Sequence, residues 1–343
     1  MSRLLRPAVA GRALLLVGFL AFLIAPALAN PYQIYIANLM LIYILLAVAL
    51  NVLIGFAGQL AFANGALFGI GAYATGLLRL DAGWPLWAAL PVGTVITTAA
   101  GVVVALPALR LRGLYLALAT VAFAQFSLWV FVHWDGLTHG VAGFVLPRLN
   151  FSPLPATPIQ GLYYVSLAVT VVGLWLAWNL VRSRVGRALV ALRESEVAAE
   201  ALAIDITRYK TIAYGVSALY AGAGGGLFAC LLGVVVPEQF NLFAIVVQFC
   251  IVIVGGIGTV WGAVFGAMLL IWLQEALRGL QEVQEVGFGG LLLLTLLVFP
   301  GGLAEALRRL APAWREPLRR TEGDQERSAL EAEENRHGSG TAR

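Results

Sequence analysis

Charge is scarce in this sequence. Of its 343 residues only 12% are Asp, Glu, Lys or Arg, about half the share usual in a soluble domain. Hydrophobic residues make up 60%, and the mean hydropathy is +0.87. Such a composition excludes a soluble enzyme and indicates a polytopic membrane protein. Histidine and cysteine are rare too, with three and two residues. No HExxH or CxxC occurs, which argues against a zinc centre. Cys230 and Cys250 lie in apolar runs and read as small buried hydrophobes, not as a disulfide framework. There is no GxxxxGK[ST] stretch either, so the energy for active transport would enter through another polypeptide. The chain itself is expected to carry no cofactor.

No charge sits clearly in mid-span. A charge at the bilayer centre costs at least about 2.5–3.5 kcal/mol on insertion scales and is kept where it carries ions or protons. His133 and Glu275 come nearest and fall toward helix ends, which disfavours proton- or sodium-coupled transport. The formal charge of +4 and pI near 9.3 carry no nucleic-acid signal. The basic residues sit at segment ends, not in a patch interleaved with aromatics.

What is abundant is apolar runs. Arg3, Arg6 and Arg12 precede the first, at 13–29. It reads as a span with a basic flank, although Ala27-Leu28-Ala29 has the small-x-small form of a signal-peptide cleavage site. Others lie at 34–54, 59–78, 86–106, 114–133, 161–180, 211–232, 244–257, 261–277 and 287–300. Each approaches the roughly 20 residues a crossing helix needs, and the short ones would suit a re-entrant hairpin. Backbone groups in lipid must be satisfied internally, so the expected fold class is all-α, with about 8–10 transmembrane helices.

With the N-terminus inside and ten crossings, Arg110, Arg112, residues 182–210 and the basic stretch 308–320 all fall in the cytoplasm. The loops left outside contain three Arg and no Lys, in accord with the positive-inside rule. Both termini are then cytoplasmic. Residues 1–302 form the membrane domain, and 303–343 read as a solvated, mostly disordered charged tail.

The stretch 182–210, RSRVGRALVALRESEVAAEALAIDITRYK, holds six basic and four acidic residues between long uncharged runs. Within 186–204, Leu189, Leu192, Val197, Ala201 and Ile204 recur at helical spacing, with Arg187, Arg193, Glu194 and Glu200 largely on other faces. This predicts one amphipathic helix. Its apolar stripe suits a partner's groove, or equally the protein's own membrane domain or lipid headgroups.

Two glycine-rich stretches stand out. In GFAGQLAFANGALFGIGAY, from Gly55, small residues at Gly58, Ala61, Gly65, Gly69 and Ala72 permit close helix packing. Gln59 and Asn64 add amides that need partners or line a path. In VGGIGTVWGAVFG, from Val254, Gly255, Gly256 and Gly258 would interrupt a helix, as in broken elements near a translocation path. The two stretches echo each other weakly. A third, AGAGGG at 221–226, reads as tight packing.

These residues resemble the permeases of bacterial branched-chain amino-acid ABC importers, specifically the LivM-type subunit. The likeness runs through NVLIGFAGQLAFANGALFGIGAYATGLL, LRLRGLYLALATVAFAQ, HWDGLTHGVAGF, VGRALVALRESEVAAEALAIDITRYKTIAY, IVGGIGTVWGAVFGAMLL and LLLLTLLVFPGGL, most of residues 38–303 in order. The resemblance implies an ABC-importer permease fold in the bacterial inner membrane. It also implies a LivH-type second permease, two cytoplasmic ATPase subunits and an extracytoplasmic solute-binding protein as partners, with leucine, isoleucine and valine as substrates. The family's ATPase-coupling segment corresponds to 186–209, with Gly186, Arg187, Arg193, Glu194, Ala199, Glu200, Ala201 and Ala203 as its candidate residues. Gln59, Asn64, Gly255, Gly256 and Gly258 are the candidates for the translocation path. The chain departs from the family pattern at Ala203, where Gly is usual, and at Ala61 and Asn64, where Ser and His are common. Urea or amides, other amino acids and sugars compete as substrates; a stand-alone facilitator, needing no docking segment, competes as a class.

Overall fold

The computed structural model describes residues 29–108, 110–111, 113–151, 157–276 and 290. They form a helical bundle: α1 (Pro31–Asn51), α2 (Ala63–Leu80), α3 (Leu86–Ala108), α4 (Leu114–His133), α5 (Pro158–Arg182), α6 (Arg184–Glu194), α7 (Glu196–Ala201), α8 (Ile206–Leu232), α9 (Leu242–Gly255) and α10 (Val260–Ala276). The eight predicted runs between 34 and 277 each became one helix. Apart from residues 29 and 290, the runs at 13–29 and 287–300 and the tail 303–343 lie outside the described residues.

Capping explains where several helices begin. Asn30 and Gln33 exchange hydrogen bonds around Pro31 at the start of α1, and Thr157 and Gln160 do the same for α5; both are capping boxes. The Asp205 side chain accepts from the Arg208 amide, so α8 starts at Ile206 instead of the predicted 211. The cap carries the helix beyond its apolar run and takes Arg208 and Lys210 with it. At the other end of α1 the chain continues through a π turn, Val52–Phe56, before breaking.

Among the described residues six helical stretches are long and apolar enough to cross a membrane: Pro31–Phe56, Leu86–Pro107, Leu114–His133, Pro158–Arg182, Ile206–Leu232 and Pro237–Gly255. α8 and α1 are the inner pair, and α8 packs on α1, α2, α3 and α5. Its glycines allow that: a Cβ on Gly71 of α2 would lie 2.6 Å from the Gly222 Cα of α8, so these backbones touch, as in membrane helix pairs generally. The expected packing role of 221–226 is thus met. α3, α4 and α5 turn large side chains outward, including Val103, Phe126, Trp129 and Trp175, a surface suited to lipid or a neighbouring subunit.

The bundle has two distinct ends. At one, α6 packs on α5, α8 and the π turn, and α7 on α6 and α8. At the other, β1 (Phe144–Val145) pairs antiparallel with β2 (Val234–Val235), and the Tyr32 hydroxyl hydrogen-bonds the Glu275 carboxylate, joining the start of α1 to the end of α10.

Candidate coupling site

The charged segment is built by two serine caps. Ser183 accepts from the amides of Val185 and Gly186 to start α6, and Ser195 accepts from Ala198 to start α7. The expectation of one helix over 186–204 is therefore corrected: the segment is two helices. A capping residue leaves the helical region, and Ser195, at φ −163°, turns the chain there. The apolar stripe is cut at the same point. Leu189, Leu192 and Ala199 are buried against the bundle, whereas Val197 (72% exposed) and Leu202 (73% exposed) face outward. Ala201 and Glu200 are exposed as well. The inner side of the segment packs on its own bundle, and α7 keeps an apolar outer surface.

α7 ends in a Schellman motif: the Ile204 amide donates to Ala199 O and the Ala203 amide to Glu200 O. The motif puts its penultimate residue in the left-handed region, normally glycine's place. Here Ala203 occupies it, at φ 58°.

Arg193 connects this segment to the bundle. Its Nη1 donates to Gly55 O at 2.7 Å, while its Nη2 lies 3.5 Å from the exposed Glu194 carboxylate. Gly58 lies beneath the Arg193 stem, where a Cβ would come within 2.6 Å of Cγ. A Cβ on Gly258 would come within 3.1 Å of Nη1. Gly58 and Gly258 both hold positive φ, 67° and 77°, which glycine adopts without steric cost.

The break after α1 and the predicted break at Gly255–Gly258 therefore meet at one place. Between α9 and α10, Gly255 closes α9, Gly256 takes φ 115° and Gly258 turns the chain. Asn51, near the end of α1, clamps that turn. Its Nδ2 donates to Thr259 O and its Oδ1 accepts from the Gly258 amide, each at 2.7 Å. The weak echo between the glycine stretches corresponds to two helix breaks in direct contact, under Arg193.

Of the other path candidates, Asn64 is enclosed. Its Nδ2 donates to Gln248 Oε1 at 2.8 Å, and Ser217 Oγ donates to its Oδ1 at 3.4 Å, so one polar knot joins α2, α8 and α9. Gln59 is buried too, and its Oε1 has no hydrogen-bond partner among the described residues. Of the remaining coupling candidates, Gly186 is buried, and exposed Arg187 donates to Arg182 O at 3.2 Å.

The ion pair at the foot of α8 went unforeseen. Lys210, the one lysine of the chain, lies 2.6 Å from Glu196 of α7, with 3% and 26% of their side chains exposed. Asn51, Thr259 and Gln248 were missed as well; a polar amide inside an apolar run was the available signal for the first and last. Among the described residues no group of three or more His, Cys, Asp or Glu could hold a metal.

The family model "Branched-chain amino acid transport system / permease component" matches residues 32–299. The chain belongs to this family. Among similar curated proteins is the high-affinity branched-chain amino acid transport system permease protein LivM of Salmonella typhimurium, 33% identical over 331 residues, covering 88% of this chain and 78% of the relative. The high-affinity branched-chain amino acid transport system permease protein LivH of Escherichia coli is 29% identical, covering 76% of this chain and 90% of its own. An autoinducer 2 import system permease protein, LsrC of an Enterobacter strain, is 29% identical over 59% of each chain. No solved structure matches. As a permease of this family the chain is an all-α, multi-pass membrane protein.

Proposed function

We propose that this permease is a membrane subunit of an ATP-driven importer of leucine, isoleucine and valine, and that α6 and α7 receive the stroke of its ATPases. The permease is then the passage and not an enzyme; hydrolysis belongs to two cytoplasmic subunits. A LivH-like second permease completes the passage, and a solute-binding protein delivers substrate outside. Relatives named for both permease types support that pairing. The charge distribution supports placing the α6–α7 face and both termini in the cytoplasm.

One observation carries the coupling role. The Arg193 guanidinium on α6 holds the α1 break through Gly55 O and lies against the α9–α10 break at Gly258. When the ATPases close, α7 is pulled by its exposed Val197, Ala201 and Leu202, and α6 moves with it. Arg193 then shifts both breaks together, because Asn51 ties one to the other. Helix breaks are where membrane helices bend at least cost, so this movement alternates which side the path faces. Gln59, Asn64 and the glycines at 255, 256 and 258 border the moving parts.

The test is reconstitution with and without the ATPase subunits. Leucine uptake into proteoliposomes should require them, together with ATP and the binding protein. Uptake that persists without ATPases would establish a facilitator and end this reading. The autoinducer 2 permeases among its relatives make a substrate of another class the alternative; uptake measured with the cognate binding protein separates the two.

A further inference from the structure

At the end of the bundle away from α6 and α7 the chain forms a cavity of about 500 Å³, within the range of small-molecule pockets. Its walls are mainly aliphatic, with Leu146, Ile159, Leu162 and Leu231 among them. One charged side chain is buried in it. Arg79, in the last turn of α2, is only 6% exposed. Its Nη2 donates to Pro147 O at 2.9 Å and its Nη1 lies 3.5 Å from Cys230 Sγ. Its Nε has no hydrogen-bond partner among the described residues. Among the described residues no Asp or Glu lines the cavity, and the second cation on its wall, Arg148, is exposed.

A guanidinium stays charged and offers five N–H donors in a planar fork that matches a carboxylate. Buried without a counter-charge it is costly, so a wall built this way is completed by an anion. The aliphatic remainder of the wall selects what the anion is attached to. We infer that this cavity binds a small aliphatic carboxylate, its carboxylate on Arg79 and its hydrocarbon against Leu146, Ile159 and Leu162. In the working transporter the occupant is the amino acid at the outer mouth of the path. That identity rests on the proposed function; the chemistry of the site does not.

The full chain, purified with the subunits that accompany it and placed in lipid nanodiscs, is probed by saturation-transfer NMR with 4-methylpentanoate and with 4-methylpentan-1-amine. The acid should bind and the amine should not. Arg79→Gln should weaken the acid by at least about tenfold, the low end for a hydrogen bond to a charged group, and Arg79→Lys should retain part of the affinity. Ile159→Trp fills the cavity while leaving Arg79 in place and should also abolish binding, which covers the case of an Arg79 variant that misfolds. Equal binding of acid and amine, or acid binding unchanged in Arg79→Gln and Ile159→Trp, overturns the site. A phospholipid that co-purifies with the parent protein but not with Arg79→Gln places a headgroup phosphate there and overturns it too. Acid binding without leucine uptake keeps the site and sinks the importer reading. Leucine uptake unaffected by both variants removes the site from the path.

Discussion

The Lys210–Glu196 pair offers the sharpest energetic test of the coupling segment. Only 3% of the lysine side chain is exposed, against 26% of the glutamate, so the two single changes are unequal. Glu196→Gln strands a buried ammonium. Breaking a buried pair in this way costs about 3–5 kcal/mol, and the partial exposure of Glu196 brings the expected loss to the lower end, about 3 kcal/mol. Lys210→Met removes the cation from a glutamate side chain that is 26% exposed, and should cost less than Glu196→Gln. The double variant removes both charges and should recover most of the loss, since an apolar replacement of a buried pair is often neutral. Thermal unfolding of the purified complex reads this directly: at about 2.1 cal/mol/K of unfolding entropy per residue, 1 kcal/mol moves the midpoint of a chain of 343 residues by roughly 1–2 °C, so Glu196→Gln should melt roughly 3–6 °C lower. ATP-driven uptake by Glu196→Gln should fall further than its yield, because α7 is then untethered from α8. Equal melting of Glu196→Gln and Lys210→Met, or a double variant no better than Glu196→Gln, would refute the reasoning.

Arg193→Ala removes the Gly55 contact and should leave ATP hydrolysis running while leucine uptake falls at least about tenfold, from the loss of one charge-assisted hydrogen bond. Glu194→Gln, which affects only an exposed pair, should stay within about twofold; parallel losses in hydrolysis and uptake for Arg193→Ala would contradict a transmitting role. Asn64→Leu orphans Gln248 and Ser217 at a cost of about 1–2 kcal/mol for a membrane interior. Uptake should drop more than the amount of protein in the membrane, and equal drops would assign Asn64 to packing alone. Ala203→Gly relieves a left-handed alanine, worth about 1–2 kcal/mol, but frees the unfolded chain by about 0.4–1 kcal/mol. Its melting point should therefore hold or rise slightly, with Ala203→Val clearly lower; a marked loss in Ala203→Gly would show that the turn does not need that conformation.

The helices were legible because each apolar run is long and uncharged, and lipid leaves the backbone no other choice. Boundaries failed where polar atoms decided them. Asp205 extended α8 through two charged residues that hydropathy excludes. At Ser195 the apolar spacing of Leu189, Leu192, Val197, Ala201 and Ile204 runs on through a residue whose hydroxyl caps the next helix, and periodicity counts side chains without seeing that competition. The glycines at 255, 256 and 258 announced a break, but its meeting with the break after α1 is a contact between segments some 200 residues apart, bridged by Asn51. Nothing local encodes that. Lys210 was visible as the chain's one lysine, yet its partner fourteen positions earlier lies on another helix.

The Asn51 clamp narrows what this position tolerates. One carboxamide supplies a donor to Thr259 O and an acceptor to the Gly258 amide, at 2.7 Å each. Aspartate offers no donor when ionised, leucine offers neither group, and glutamine places the same atoms one carbon too far. The turn between α9 and α10 is thus held by a side chain from the opposite end of the sequence. Grafting either helix hairpin from a related permease would carry only half of the lock, so exchanges between relatives should succeed when both hairpins travel as a set and fail when they are moved singly.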